Sequence, residues 1–140
     1  LLEMADRPRR KKVTLAWNGE DVAQAMGSLF QKGDPAKYID LPLANYATLP
    51  YDKVVKEGRT IGLSTYTGYN FNERAMLSLG IMDHEFSEPG TEVTVVWGQE
   101  KGGSTKPTVE RHQQAEIRAT VQPVPISEVA RVAYRPAAVR

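Results

Sequence analysis

The chain has 140 residues, 41% of them hydrophobic and 25% charged, about one domain of sequence with a globular balance rather than that of a disordered tail. Cysteine is absent and only His84 and His112 are present, which excludes disulfides, thiolate metal sites and cysteine nucleophiles and argues against a histidine metal site. The net charge of +1 names no partner, and no apolar run approaches the roughly 20 residues of a membrane span, so a soluble domain without a membrane partner is expected.

The chain opens Leu1-Leu2-Glu3, with neither an initiator Met nor a secretory signal pattern, and is expected to be a piece of something longer. Arg7, Arg9, Arg10, Lys11 and Lys12 cluster before the first apolar segment. A basic patch can neutralise phosphates, but no aromatic ladder or RNA-binding signature accompanies this one. Residues 1–12 are therefore read as a solvated lead-in segment or linker, in preference to a nucleic-acid contact.

Lys11–Trp17 alternates, with Val13, Leu15 and Trp17 on one face, as a half-buried strand does. Asn18 is a good helix N-cap, with Asp21 three residues later as a capping-box-like partner and Glu20 at the positive helix end. Val22, Met26, Leu29 and Phe30 form one apolar stripe, read as core, and Lys32 followed by Gly33-Asp34-Pro35 stops the helix. Pro42 and Pro50 break residues 39–50 into a connection with short extended pieces.

Strand signals then come densely. Lys53–Glu57 is short, and Gly58-Arg59 turns into Thr60–Thr67, where Ile61, Leu63 and Thr65 share a face. Gly68-Tyr69-Asn70-Phe71-Asn72 reads as a turn-rich link. Glu73–Asp83 places Ala75, Leu77, Leu79 and Ile81 on one side, the longest alternation in the chain. After a Pro89-Gly90 turn, Glu92–Trp97 directs Val93, Val95 and Trp97 inward, and Gly98–Thr105 is a polar tip. Thr108–Gln122 resumes strand character with Ile117, Ala119 and Val121 on one face, and Ser127–Tyr134 offers one or two helical turns. Such a run of strands suits an antiparallel barrel or sandwich, and the expected fold is mainly β with one clear N-terminal helix, an antiparallel, barrel-like sheet of about six strands whose closure would remove exposed edges.

Few motifs carry chemistry. The run Gly98–Thr105 has the glycine content of a phosphate loop but lacks a lysine before its hydroxyl residue, and Pro107 stands where a helix should begin; a hairpin tip is favoured. No nucleophile elbow or metal-ligand spacing is present, and no catalytic set is expected within this chain. On a strand, Glu110 and His112 would share a face with Arg111 opposite, either as a carboxylate orienting an imidazole or, the preferred reading, as a surface cross-strand ion pair. Tyr66, Tyr69 and Asn70, with Asn72, gather aromatic and amide groups at one strand end, chemistry suited to a planar polar ligand, although Tyr and Asn are also ordinary rim residues. Trp17 and Trp97 read as core anchors.

The runs Gly58-Arg59-Thr60-Ile61-Gly62-Leu63-Ser64-Thr65-Tyr66-Thr67-Gly68-Tyr69, Ala75-Met76-Leu77-Ser78-Leu79-Gly80-Ile81-Met82 and Pro89-Gly90-Thr91-Glu92-Val93-Thr94-Val95-Val96-Trp97-Gly98 resemble, in that order, the C-terminal barrel domain of the glycine-cleavage T-protein (aminomethyltransferase) family. The resemblance covers about residues 50–126 and, more loosely, the whole chain. Phe71–Ser78 and Lys106–His112 depart from the glycine-cleavage pattern and are more similar to the T-protein-like, tetrahydrofolate-dependent O-demethylases of vanillate- or syringate-type methoxy-aromatics. Pro125-Ile126-Ser127-Glu128 stands where the classical T-protein carries a Pro-Phe-Tyr-like motif and a basic residue near the folate, so that contact does not transfer.

The resemblance implies that residues 13–140 are a single C-terminal barrel domain of a larger cytoplasmic enzyme. That enzyme would use tetrahydrofolate and a small-molecule methyl or aminomethyl donor. Its catalytic and main folate-binding residues would lie in a preceding domain, the expected partner of this one. The competing reading is an independent β-barrel binding or interaction module without catalysis.

Overall fold

The computed structural model of the protein describes residues 10–42, 51–100 and 110–126. Six strands, β1 (Arg10–Trp17), β2 (Asp52–Lys56), β3 (Arg59–Asn70), β4 (Ala75–Asp83), β5 (Glu92–Trp97) and β6 (Ala115–Gln122), close into an antiparallel barrel in the order β1-β4-β3-β2-β5-β6. One helix, α1 (Gly19–Gly27), follows β1. The expected mainly β, barrel-like architecture is the one observed. The lead-in residues 1–9, the glycine-rich tip from residue 101 onward and the helical turns expected after residue 126 lie outside the described residues.

Closure is direct, since β1 pairs with β4 on one side and with β6 on the other, Leu15 standing opposite both Ser78 and Val121. A closed barrel leaves no open edge to recruit another chain. Alternating directions bring the ends of β1, β3 and β5 and the beginnings of β2, β4 and β6 to one rim, here the upper rim.

The inward faces of β1, β5 and β6 are the ones expected: Val13, Leu15, Trp17, Val93, Val95, Trp97, Ile117, Ala119 and Val121 are all buried. The two indoles meet edge to face, 5.6 Å between centroids. The longest alternation points the other way. On β4 the buried residues are Met76, Ser78, Gly80 and Met82, whereas Ala75, Leu77, Leu79 and Ile81, the face expected to be core, are only partly buried on the outside. The reason is volume. A six-stranded barrel has a narrow lumen, and beside Val13, Leu15 and Trp17 of the neighbouring β1 the middle of β4 has room inward only for Ser78 and Gly80, with Met76 and Met82 filling the space to either side. A Cβ on Gly80 would sit 2.9 Å from the Leu15 and Val13 side chains.

Strand β3 also departs from the expected face. Ile61 is fully buried, but Leu63 and Thr65 turn outward and Gly62 and Ser64 inward, because a register shift opposite Val54/Val55 inserts Ile61 as an extra residue. The strand continues through Gly68-Tyr69-Asn70, expected to be a link, and the turn shrinks to 71–74.

The helix begins as expected, with Asn18 Oδ1 accepting the Asp21 N–H at 3.0 Å. It ends six residues before Gly33, however, and no basic residue occupies its last turn. Ser28 is the cause. Its hydroxyl donates to the Ala25 carbonyl at 2.6 Å and accepts the Ala36 N–H at 2.9 Å, tying the returning chain across the helix end. A short 3₁₀ turn, Ser28–Phe30, follows, and it rotates Leu29 and Phe30 out of the core stripe, leaving Phe30 89% exposed. Val22 and Ala25 remain as the buried face of α1.

Candidate functional site

The upper rim gathers the candidate site residues Tyr66, Tyr69, Asn70, Glu110, Arg111 and His112, but in separate directions. The connection after α1 crosses this rim. Ala36 bridges to Gln113, the Lys37 carbonyl accepts the Trp97 indole N–H at 2.9 Å, and the Pro42 carbonyl accepts the Tyr69 N–H at 2.6 Å. Lys37 is itself buried, its ammonium 4.7 Å from the centre of the Trp97 ring.

Glu110, Arg111 and His112 are not on a strand, because β6 starts only at Ala115. His112 is buried. Its Nε2 accepts the Gln99 N–H at 2.9 Å and its Nδ1 lies 2.8 Å from the Glu110 carbonyl, which assigns the proton to Nδ1 as donor. Both ring nitrogens are thus engaged by backbone groups, and the Glu110 partner is a peptide oxygen rather than a carboxylate. Arg111 pairs with Asp34 at 3.2 Å on the exposed surface.

The neighbours of His112 form a clamp that sequence reasoning missed. Gly98 adopts φ +112°, and a Cβ there would lie 3.0 Å from the His112 ring, so glycine is required twice over. The Gly98 N–H donates to Asp52 Oδ1 at 2.9 Å, and its carbonyl accepts from Gln114 Nε2 at 3.2 Å. Asp52, Gln114 and His112 therefore fix the backbone at 98–99 against that at 110–114. Asp52 precedes the strand expected at Lys53–Glu57, and no sequence motif marks it; its pairing opposite the buried Ser64 reveals it as inward.

Tyr66, Tyr69 and Asn70 lie along the last five residues of β3 but do not converge. Between Thr65 and Gly68 the ladder with β4 shifts by one residue, and Tyr66 occupies this bulge at φ +53°, 76% exposed. A left-handed backbone at a non-glycine residue costs on the order of 1 kcal/mol. Tyr69 stands opposite buried Met76 and packs partly against the core. Asn70 Oδ1 accepts the Glu73 N–H at 3.0 Å, which leaves its amide NH₂ as the group available to a ligand.

Away from the rim, Asp21 and Arg118 form the strongest ion pair among the described residues. Asp21 Oδ2 accepts both the backbone N–H and Nε of Arg118, at 2.8 and 2.9 Å, and Oδ1 accepts from the far guanidinium nitrogen at 2.8 Å. These hydrogen bonds pull the carboxyl from its ordinary 3.8 down to about 2. The pair fastens the start of α1 to β6 and borders a shallow groove of about 610 Å³ between Lys56, Glu92, Thr94 and Arg118. Among the described residues no cluster of three His, Asp or Glu could hold a metal ion, and no helix is long and apolar enough to cross a membrane.

No family model matches the chain. It is 48% identical over 134 residues to a syringate O-demethylase of Sphingobium sp., an alignment covering 96% of this chain and 29% of that protein. It is 35% identical over 119 residues to a sesamin methylene transferase of Sinomonas sp., covering 78% of this chain and 24% of that protein. The chain thus spans less than a third of the length of the curated relatives it matches.

Proposed function

The chain belongs to the glycine-cleavage T-protein family, on its O-demethylase branch, and on that premise we propose that it is the C-terminal accessory domain of a tetrahydrofolate-dependent one-carbon transferase that demethylates methoxy-aromatic compounds in the cytoplasm. The single observation that carries the proposal is the near end-to-end match, at 48% identity, to part of a much longer syringate O-demethylase. Both relatives are named for moving one carbon from an aromatic ether or a related group.

In this reading the barrel covers a folate cleft formed by a preceding domain of the same polypeptide. Tetrahydrofolate, when bound, would supply the amine nitrogen that accepts the methyl group. Cleavage of an aryl methyl ether leaves a phenolate, which needs a proton or strong electrostatic stabilisation, and the proposal assigns that work to the preceding domain.

Two groups on β3 are the candidates for contact with a planar, polar cofactor edge, each in its own direction. Tyr66 offers an exposed ring on its bulge, and Asn70 offers its NH₂ as a donor. Tyr69 supports them from the half-buried side. His112, with Glu110 and Arg111 beside it, holds the neighbouring backbone in place through the clamp at Gly98 and so acts as a positioning element.

The test is turnover by the full-length polypeptide of syringate or vanillate with tetrahydrofolate. Methylated folate and the free phenol are expected in equal amounts, with no turnover by the 140-residue chain alone. An independent binding module would leave both substrates unchanged in every preparation, and that outcome defeats the proposal.

A further inference from the structure

Among the described residues the large exposed hydrophobic side chains are distributed unevenly along the barrel axis. Phe30, Leu41, Tyr51 and Phe71 lie on the connections that enter or leave the upper rim, with exposures of 89, 53, 60 and 69%. The lower rim, where β1, β3 and β5 begin, is built differently. Among the described residues its turns expose Glu57, Arg59, Glu85 and Glu88, Phe86 is half-buried beneath the Arg59 guanidinium at 5.5 Å, and the one large exposed hydrophobic is Val124, at 46%.

The upper-rim aromatics are held outward by structure. Phe30 is rotated out by the Ser28 tie that ends α1 against Ala36. Phe71 projects from the β3–β4 turn beside Arg74, whose guanidinium lies 5.0 Å from its ring centre. Isolated apolar residues on a surface need no account, but several large ones gathered on one rim, with charged residues such as Lys32, Asp40 and Glu73 between them, have the composition of a protein interface.

We propose that the upper rim is the surface by which the barrel docks on the remainder of its own polypeptide, against an apolar face that receives Phe30, Leu41, Tyr51 and Phe71. The occupant follows from length. About seven-tenths of the syringate O-demethylase relative lies outside the part this chain matches, and among the described residues the lower rim offers mainly charged turns and the single exposed Val124 to receive it. The inference rests on the reading of the chain as one domain of a larger transferase, and it adds which end of the barrel meets the rest.

Cysteine accessibility tests it, because this chain has no cysteine of its own. In the full-length polypeptide, Phe30→Cys and Phe71→Cys are compared with Glu57→Cys and Glu88→Cys at the opposite rim, and maleimide uptake is followed peptide by peptide by mass spectrometry. All four residues are exposed in the barrel itself, so the substitutions leave its packing intact. Modification at 30 and 71 should be at least tenfold slower than at 57 and 88 under native conditions, and the rates should converge in urea. Equal native rates overturn the docking surface even if the protein demethylates syringate. Protection that vanishes on dilution assigns the rim to a second copy and also overturns it. Protection that survives dilution in a protein with no one-carbon transfer activity upholds the surface and removes the transferase reading instead.

Discussion

Asp21 shows how one side chain can serve two elements. Its backbone N–H completes the Asn18 cap, while its carboxylate receives the Arg118 guanidinium and backbone N–H from β6. Because its folded-state pKa is depressed, to about 2, the pair stabilises the fold above the ordinary carboxylate value near 4. That contribution fades as pH falls through the interval from about 4 to about 2. Allowing for screening of the exposed arginine, Asp21→Asn should cost about 1 kcal/mol at pH 7 in urea unfolding. The variant and the parent should converge near pH 2, and a constant difference across that range would rule the linkage out. His112 makes a comparable prediction without titration. In His112→Leu the half-buried Gln99 N–H loses its acceptor, at a cost of about 1 kcal/mol in thermal unfolding.

At the scale of elements, the strands are set as much by what the lumen has room for as by alternation. Gly62 and Gly80 both face inward, yet their tolerance should differ. A Cβ at Gly80 meets the Leu15 and Val13 side chains, which can shift, so Gly80→Ala should cost about 1–2 kcal/mol. A Cβ at Gly62 would lie 2.6 Å from the Ile81 carbonyl oxygen, part of the β4 backbone, so Gly62→Ala should cost more than Gly80→Ala in the same urea series. The reverse order would show that the β3–β4 ladder yields more readily than the side-chain core. The bulge at Tyr66 makes the opposite prediction. Tyr66→Gly relieves a left-handed tyrosine and should raise stability by up to about 1 kcal/mol. If the ring faces the folate cleft, the same change in the full-length enzyme should raise KM for folate or substrate about three- to tenfold. An unchanged KM removes Tyr66 from the site.

For the whole molecule, the barrel is a finished core with an unfinished rim. Its interior is filled by the Trp17–Trp97 pair and a hydroxyl chain in which Ser64 and the Trp17 indole N–H both donate to Ser78 Oγ, at 2.7 and 3.0 Å. Loss of that indole donor in Trp17→Phe should cost about 1–3 kcal/mol of stability, since Ser78 stays buried with one partner fewer. The same substitution should leave turnover by the folded full-length protein unchanged, because the Trp17 ring is buried within the barrel, beneath the rim. A selective loss of kcat at unchanged stability would contradict that placement.

The strands of strict alternation could be read directly from the residues. Val13-Leu15-Trp17 and Val93-Val95-Trp97 found their face because large side chains at period two have one place to go. So did the helix start, where an Asn cap and two acids act within four residues of chain. What could not be read depended on distant partners. Leu77, Leu79 and Ile81 form the best alternation in the chain and still lie outside, because the lumen beside Ser78 and Gly80 is already occupied by Trp17 and Leu15 from another strand. Phe30 leaves the core because Ala36 comes back to Ser28, and His112 turns to a peptide carbonyl because Gly98 approaches its ring. Local periodicity by itself determined a mainly β chain of about six antiparallel strands with a capped helix. Only the closed tertiary structure decided which faces look inward and which aromatics remain outside, since burial depends on the space that neighbouring strands leave free.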